Sequence, residues 1–440
     1  MKACLVLAGL LLAVGFILPP QHPFTSSIDV NLDHEESPEN SATQFSCLQY
    51  LWPGLSDSLE LLRYELNPAT FGADDYYRLK DDILSRDASE TAPFNPFHRK
   101  ADEPDQSIYE ILVTSPDSTI FAKMVSQFDE IVDYLNSTSS DHTLYLPPDK
   151  AFGKFDRWPM PPKSCLKKFI EYHISPHSYS LKDLFSSLTV PTLLENKELG
   201  SYHQRIAVKL RVLGLSLNFM TRIHKPNNFA TNGVVHILDN ILIPPFRSSD
   251  TLNFLSSELG TLEFGLLKTG LYIKINDSST HTGATLFMPT NQAFQKLGFK
   301  NTAFLFSRPG EKYLKALLKY HVVFNHTLYT DTYYKPSEGD ESTKVDKAAF
   351  HIDLPTLLPG HHLSIDIAGF SRFENIKING YTNVAVADIV MKDGVLHLIN
   401  DVLIPPQKLA LSDGFNNLPR ETSLSLEGLR ERLEPFVEEE

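Results

Sequence analysis

The sequence contains few cysteines and lacks the short motifs that commonly mark an enzyme. There are only 3 cysteines in 440 residues, too few for a small fold held together by disulfides. No Gly-x-Ser-x-Gly elbow, His-Glu-x-x-His helix or Gly-rich phosphate loop is present. Those motifs serve hydrolases, metalloproteases and nucleotide-binding proteins. We therefore predict a protein that is not an enzyme and that needs no cofactor.

Positive charge is also scarce, and the formal net charge is −14. Residues 21–104 hold 16 Asp and Glu against 6 Lys and Arg, and residues 407–440 hold 8 against 4. The stretch between them is nearly neutral, so no basic face is available to neutralise phosphates, and we predict no nucleic-acid partner. The pairs Asp74-Asp75 and Asp81-Asp82 could act as acid and base in a carbohydrate-active hydrolase. A solvated run of charge is the simpler interpretation.

Long apolar runs are absent except at the N-terminus, where Lys2 precedes an unbroken run from Ala3 to Leu18. This run is short for a membrane span of ~20 residues, so it predicts a secretory signal peptide. A signal anchor that stays uncleaved is the alternative. The C-terminal "FVEEE" resembles neither a lipid-anchor tail nor a retention signal. We expect a secreted protein with no stable membrane span after signal cleavage, or alternatively a protein of the vacuole lumen.

Two modifications fit the secretory route. If the signal peptide removes Cys4, then Cys47 and Cys165 remain, and in an oxidising compartment they can pair. The alternative is that Cys165 is a small core residue. Three Asn-x-Ser/Thr sequons are acceptor sites for N-glycosylation: Asn136, Asn276 and Asn325.

The main positive feature is an internal duplication. The stretch "NGVVHILDNILIPP" recurs as "DGVLHLINDVLIPP", which matches His236 with His397. Two segments precede it in both copies, "TLYLPPDKAF" with "TLFMPTNQAF" and "CLKKFIEYHI" with "YLKALLKYHV". Each copy opens with helical apolar spacing and continues with the alternating pattern of strands. Helices followed by strands predict an α+β fold, present twice.

This duplication divides the chain into five predicted segments. They are a signal peptide over residues 1–20, an acidic and partly disordered region over 21–104, domain 1 over 105–246, domain 2 over 247–407, and an acidic C-terminal tail over 408–440.

The second copy carries an insertion. The Tyr-His segments lie 148 residues apart, whereas the two "PTLL" stretches, at Pro191 and Pro355, lie 164 apart. The extra residues fit the charged stretch from Tyr333 to Lys347, which has no apolar period. We predict an exposed loop there, on the second domain only.

The duplicated segments resemble those of fasciclin (FAS1, or beta-Ig-h3-like) domains. "TLYLPPDKAF" resembles the first conserved segment, "NGVVHILDNILIPP" the second, and "EYHI" the Tyr-His segment between them. The resemblance covers about two thirds of the chain, over residues 105–245 and 250–406. It implies that each domain is a twisted antiparallel β wedge packed against several helices. The family includes secreted and surface adhesion proteins, and this chain most resembles its soluble fungal members with two domains.

Four histidines are the obvious candidates for catalysis or metal binding. A zinc site needs three or four converging ligands, but each copy offers two histidines far apart in sequence, among Val, Ile and Leu. The favoured interpretation is a buried imidazole that satisfies backbone groups. We predict a structural role, and neither a catalytic nor a metal site, for these residues: His173, His236, His321 and His397.

The resemblance also implies a partner-contacting position. The second copy keeps "ADIV", where animal relatives are associated with integrin contact, whereas the first copy has "NNFATNG". The sequence has no Arg-Gly-Asp. Any carry-over is confined to Tyr320, His321, Asp388 and Ile389.

Three functional hypotheses follow. The leading one is a non-enzymatic secreted glycoprotein that acts in adhesion or binds a protein or a glycan of a cell wall or matrix. The second is a vacuolar or endomembrane-lumen protein in organelle contact or membrane fusion. The third is a hydrolase that uses the histidines or the acidic pairs.

Overall fold

The computed structural model describes residues 104–155, 161–211, 214–335, 343–345, 350–370, 373–406 and 424–437. The predicted signal peptide, nearly all of the acidic N-terminal region with Cys47, and much of the C-terminal tail lie outside these residues.

Domain 1 begins with short amphipathic helices and continues into strands. Ser107 and Glu110 form a reciprocal capping box at the start of the first helix, and Ser180 and Asp183 do the same further along. The helices are α1 (Ile108–Thr114), α2 (Thr119–Val125), α3 (Asp129–Asn136), α4 (Lys163–Tyr172) and α5 (Leu181–Ser186). The strands are β1 (His142–Leu146), β2 (Ile174–Ser175), β3 (Thr189–Asn196), β4 (Tyr202–Arg211), β5 (Gly214–Leu217), β6 (Thr221–Ala230) and β7 (Gly233–Leu238).

Domain 2 repeats this order with more helices and a small additional sheet. Its helices are α6 (Ser248–Phe254), α7 (Ser256–Lys268), α8 (Leu271–Asn276), α9 (Asn291–Leu297), α10 (Phe299–Leu305) and α11 (Glu311–Lys319). Its strands are β8 (Ala284–Pro289), β9 (Val322–Phe324), β10 (Thr327–Leu328), β11 (Thr332–Tyr334), β12 (Thr343–Lys344), β13 (Phe350–Pro355), β14 (His362–Phe370), β15 (Phe373–Ile378), β16 (Thr382–Met391) and β17 (Gly394–Ile399).

The two main sheets have the same topology. The first runs β2-β1-β7-β6-β5-β4-β3, and the second, read from the corresponding edge, runs β9-β8-β17-β16-β15-β14-β13. All neighbours are antiparallel except β1 with β7 and β8 with β17, which pair in parallel. The α+β prediction is confirmed, and each wedge contains one parallel pair. The segments "TLYL" and "TLFM" form the strands of these parallel pairs, beside the closing histidine strand.

The core lies between each sheet and its helices. The third face of the packing in domain 2 comes from the C-terminal region, where α12 (Leu426–Leu433) buries Leu429 and Leu433 in the same apolar cluster as the domain 2 helices and sheet. The tail therefore contains a docked helix as well as acidic residues. No helix in the described part of the chain is long and apolar enough to cross a membrane.

The predicted exposed loop on domain 2 is wrong at its N-terminal end. Tyr333 and Tyr334 lie in β11 and are 7% and 3% exposed. Tyr334 stacks on Tyr202 of domain 1, with ring centroids 4.3 Å apart. Polar residues that follow concealed the role of these two tyrosines, because a contact with the other domain leaves no periodic signal in the local sequence.

Candidate functional site

The motif that closes each domain begins with a side chain that anchors the domain's first helix. Asn232 Oδ1 accepts a hydrogen bond from the amide of Ile108 at 2.9 Å. In domain 2, Asp393 stands in the same place, and its carboxylate accepts from the amide of Ser248 at 2.9 Å and from its hydroxyl at 2.7 Å. Amides in the first turn of a helix have no partner within the helix. Burial raises the pKa of Asp393 to about 6, against the lowering effect of the Ser248 hydrogen bonds.

The glycine that follows is required by a close approach of two strands. Gly233 has φ +139°, and a Cβ there would lie 1.9 Å from the carbonyl oxygen of His142 in the parallel strand. Gly394 has φ +158° and would meet the carbonyl oxygen of Ala284 at 2.2 Å. The Asn-Gly and Asp-Gly pairs therefore fix where the closing strand begins.

The histidine of the motif binds two backbone groups. In domain 1, His236 Nε2 donates to the carbonyl of Tyr179 at 2.7 Å, and its Nδ1 accepts from the amide of Asn227 at 3.2 Å. In domain 2, His397 Nε2 donates to the carbonyl of Leu328 at 2.9 Å, and Nδ1 accepts from an amide in the equivalent bulge at 3.4 Å. Both rings thereby join the closing strand to the segment that follows the Tyr-His station.

The histidine of the Tyr-His segment uses the opposite tautomer. His173 Nδ1 donates to the carbonyl of Phe169 at 2.8 Å, and Nε2 accepts from the amide of Leu242 at 3.0 Å. His321 Nδ1 donates to the carbonyl four residues earlier at 2.9 Å, and Nε2 accepts from the amide of Leu403 at 2.9 Å. Each ring joins the end of a helix to the "LIPP" segment that leaves the domain.

Burial keeps these four imidazoles neutral. They are 0% to 1% exposed, and desolvation lowers the pKa of His173, His236 and His321 to about 4 and also lowers the pKa of His397. In each ring one nitrogen donates and the other accepts, so no lone pair remains for a metal. Among the described residues, no group of three or more His, Cys, Asp or Glu could hold a metal ion.

The position associated with integrin contact is buried. Asp388 has φ +58°, is 0% exposed, and accepts hydrogen bonds from the amide of Thr330 at 3.0 Å and from its hydroxyl. Lys209 of domain 1 lies 3.7 Å from the same carboxylate. The counterpart in domain 1 is Asn227, which has φ +60° and also bonds the next helix, through the amide of Leu181.

The other three residues of that group are buried as well. Tyr320 is 0% exposed and its hydroxyl donates to the carbonyl of His362 at 3.3 Å and accepts from the amide group of Asn379 at 3.0 Å. His321 is 0% exposed and Ile389 is 8% exposed. In this structure the group thus holds domain 2 together, and none of its side chains is presented to a partner.

A buried polar network joins the two domains. The carboxylate of Asp331 accepts from the Thr189 amide at 2.8 Å and from its hydroxyl at 2.5 Å, and lies 3.6 Å from the Arg205 guanidinium. Arg205 Nη1 donates to the hydroxyl of Tyr334 at 3.2 Å. Arg205 is 7% exposed. Such a desolvated and fully bonded charge holds one orientation, because any slip would leave it unpaired.

A second cluster lies near the connection between the domains. Glu198 Oε1 lies 2.9 Å from Arg247 and 2.7 Å from Lys392. The side-chain amide of Gln204 donates to the carbonyl of Met391 at 2.9 Å, and that of Asn196 donates to the carbonyl of Lys392. The two clusters fix domain 1 against β16 and β11 of domain 2.

Sequence reasoning missed this interface. Its signal was weak: Arg205 and Lys209 stand four residues apart in "RIAVKL", on one face of a strand. Both side chains meet carboxylates that are more than a hundred residues away, Asp331 and Asp388. Nothing in one sequence identifies such partners.

An apolar cavity also lies at the interface. It is lined by Phe219, Pro245, Phe246, Phe254 and Ile389, among others, and has a volume of about 70 Å³. That is about half the volume of an engineered cavity that binds benzene. It is a packing gap between the domains and not a site for a larger ligand.

The three sequons have accessible positions. Asn136 and Asn325 are exposed and Asn276 is partly exposed. Asn136 ends α3 and Asn276 ends α8, and the Oδ1 of each accepts from a serine at the start of its domain's first helix, at 2.9 Å and 2.8 Å. Asn325 Oδ1 accepts from the amide of Thr282. A glycan is attached through Nδ2, so these hydrogen bonds are compatible with glycosylation.

Cys165 lies on α4, is 7% exposed and is disulfide-bonded. Its predicted partner, Cys47, lies outside the described residues.

Comparison with protein families gives a clear match. A family model described as the fasciclin domain matches residues 116–244 and again residues 258–405. Together the two matches cover more than half of the chain.

Individual relatives differ in how much of their length is shared. Aurofusarin biosynthesis cluster protein S of Gibberella zeae is 32% identical over 337 residues, which is 73% of this chain and 82% of that protein. Human periostin is 30% identical over 276 residues, 60% of this chain and 28% of periostin. Mouse stabilin-2 is 24% identical over 301 residues, 63% of this chain and 11% of stabilin-2. The chain thus spans only a minor part of the two animal proteins.

One solved structure similar to this chain is described as a FAS1 domain pair from the insect cell adhesion molecule Fasciclin I. It covers 65% of this chain and 96% of its own, with 17% sequence identity and a TM-score of 0.32.

Proposed function

This chain belongs to the fasciclin domain family, and we propose that it is a non-enzymatic, secreted glycoprotein that binds a protein or glycan of a cell surface, wall or matrix. The observation that carries the proposal is the way polar residues are used. In each domain the imidazoles, the Asn or Asp of the bulge and the Asn or Asp before the glycine are all bonded to backbone groups. Polar chemistry of this kind serves the fold, and the outer surface is left for recognition.

The interface between the domains supports binding as a single unit. With Arg205, Asp331 and Asp388 buried between them, the two domains present a fixed composite surface. A rigid surface loses less conformational entropy on binding than two domains on a flexible linker. We infer that a partner contacts outer surfaces of the pair, and that the group formed by Tyr320, His321, Asp388 and Ile389 acts by maintaining the pair.

Secretion and glycosylation are the testable premises of this function. The tagged full-length protein should be found in the medium or cell wall, and its mobility on a gel should increase after treatment with an N-glycosidase. The secreted protein would then be used at a fixed concentration to capture partners from wall or matrix extracts. A variant that weakens the interface, Asp331→Asn, serves as the matched control. Unglycosylated protein in the cytosol would contradict the proposal.

The destination also separates this role from the vacuolar one. Glycosylated protein retained in a vacuole-like organelle would favour organelle contact or membrane fusion. Three buried histidines with a pKa near 4 argue against prolonged residence in an acidic lumen, because acid destabilises a fold that must keep them neutral.

One relative suggests a second candidate function. The protein of Gibberella zeae that shares 82% of its length with this chain is named for an aurofusarin biosynthesis cluster. On that ground we propose, as the alternative, an accessory role in the biosynthesis of a natural product. Deletion of the gene followed by metabolite profiling tests it. Loss of one metabolite with unchanged adhesion would favour this role, and unchanged metabolites with reduced adhesion would favour the first.

A further inference from the structure

The C-terminal helix α12 occupies a defined seat on domain 2. Leu429 and Leu433 are 0% exposed, and the helix packs against α10 and α11. Ser425 caps its N-terminus by accepting from the amide of Gly428. The side-chain amide of Asn301 donates to the carbonyl of Leu424 at 2.8 Å.

Two charged residues of this C-terminal segment meet one tyrosine of α11. The hydroxyl of Tyr313 donates to the carboxylate of Glu434. The guanidinium of Arg430 lies 6.0 Å from the ring centre of Tyr313 and 5.8 Å from that of Phe304 in α10. The seat is therefore apolar, with two leucines in contact and an arginine above the aromatic rings.

The sequence of this helix has a counterpart near the N-terminus. "SLEGLRERLEP", from Ser425 to Pro435, matches "SLELLRYELNP", from Ser58 to Pro68, at 7 of 11 positions. The three leucines of the helical repeat, the arginine, the capping serine and the proline are among the identities. The N-terminal copy lies ahead of domain 1, and the C-terminal copy lies behind domain 2.

The duplication identifies where the N-terminal copy would bind. Helix α4 of domain 1 corresponds to α11 of domain 2, and Cys165 takes the position of Tyr313. Cys165 is disulfide-bonded, and the other cysteines of the chain, Cys4 and Cys47, both precede Ser58. A disulfide within the chain therefore brings the N-terminal region to the residue whose counterpart contacts α12.

Chain length permits this placement. Eleven residues separate Cys47 from Ser58 in number, and they span at most ~36 Å when extended. Domain 1 has 7 residues between Phe155 and Lys163, where domain 2 has 13 between Leu297 and Glu311. That is too few for a counterpart of α10, so the seat on domain 1 is smaller, and a disulfide there supplies an anchor that domain 2 does not need.

We propose that residues 58–68 dock on α4 of domain 1 in the way that α12 docks on α11 of domain 2, tethered by a Cys47–Cys165 disulfide. Leu62 and Leu66 correspond to Leu429 and Leu433 and fill the apolar seat. The segment is then part of domain 1 and not a linker to it.

Hydrogen exchange measured by mass spectrometry tests this in the full-length, oxidised protein. The variant Leu62→Glu with Leu66→Glu should increase exchange in residues 163–172 by on the order of tenfold or more and leave residues 311–319 unchanged. The matched variant, Leu429→Glu with Leu433→Glu, should have the opposite pattern. Because each variant leaves the other domain as an internal reference, global unfolding is distinguished from local release.

Unchanged exchange in residues 163–172 in the first variant, with the expected increase at 311–319 in the second, would overturn the proposal. So would an increase spread equally over both domains. If the first variant cannot be purified, Leu62→Ala with Leu66→Ala gives the same comparison. A Cys47→Ser variant with wild-type exchange on α4 would refute the tether.

Discussion

Acidification should unfold this protein between about pH 6 and pH 4, because each domain depends on neutral histidines. An unfolded histidine has a pKa of 6.5, and burial lowers the pKa of His173, His236 and His321 to about 4. Between these values the unfolded state binds more protons than the folded state. Their contribution to stability is complete above pH 6.5 and is lost as the pH falls towards 4.

The size of the effect follows from the pKa differences. One pKa unit corresponds to 1.36 kcal/mol, so each of the three histidines costs about 2 kcal/mol at pH 5, or about 6 kcal/mol together. Asp393 acts in the opposite direction, since its pKa is raised from 3.8 to about 6. Its protonation in the folded state returns about 1 kcal/mol at pH 5. The net loss of about 5 kcal/mol is comparable with the total stability of many domains.

Urea denaturation at pH 7.5 and pH 5.0, followed by circular dichroism, measures this difference directly. His173→Gln should reduce the pH dependence by about 2 kcal/mol at pH 5, whatever it does to stability at pH 7.5. His362→Gln, which changes an exposed histidine, is the control and should leave the pH dependence as it is. A free energy of unfolding that is equal at the two pH values, or larger at pH 5.0, would refute the reasoning.

Three further predictions concern the interface and the modifications. Asp331→Asn leaves Arg205 buried beside a neutral group, so the free energy of unfolding should fall by about 3 kcal/mol and the radius of gyration in solution scattering should rise; an unchanged radius with unchanged stability would show that the ion pair does not hold the domains. Cys47→Ser should give one reactive thiol in the denatured, unreduced protein, at Cys165, where the wild type gives none; two free thiols in the wild type would rule out the pairing. Asn136→Gln should remove one step from the ladder of partially deglycosylated forms, and an unchanged ladder would mean that this sequon is not used.

The sequence was sufficient to predict features that depend on neighbours along the chain or on the repeat. "TLYL" and "TLFM" each predict a strand, and both form one, with the "NGVVHIL" copies beside them. The α+β class and the two domains follow from the same duplicated segments. The tautomer and partners of His236 could not be predicted, because they depend on the carbonyl of Tyr179, a residue 57 positions away.

The sequence was insufficient where one domain contacts the other. Tyr334 was placed in an exposed loop because charged residues follow it, yet its ring stacks on Tyr202. Asp388 looked available to a partner because related domains carry the same residues, and yet Lys209 and Thr330 surround it. A single sequence has no means of pairing Lys209 with Asp388 across 179 positions.

The divergence between the two copies shows how a duplicated domain becomes half of a pair. At the bulge before the closing strand, domain 1 has Asn227 and domain 2 has Asp388. Both have a positive φ and both accept a hydrogen bond from the start of the next segment. An uncharged amide is sufficient for that role. The carboxylate of Asp388 adds only an attraction to Lys209, which lies in the other domain. The difference between the copies at this position is therefore explained by the interface and not by the fold of either domain.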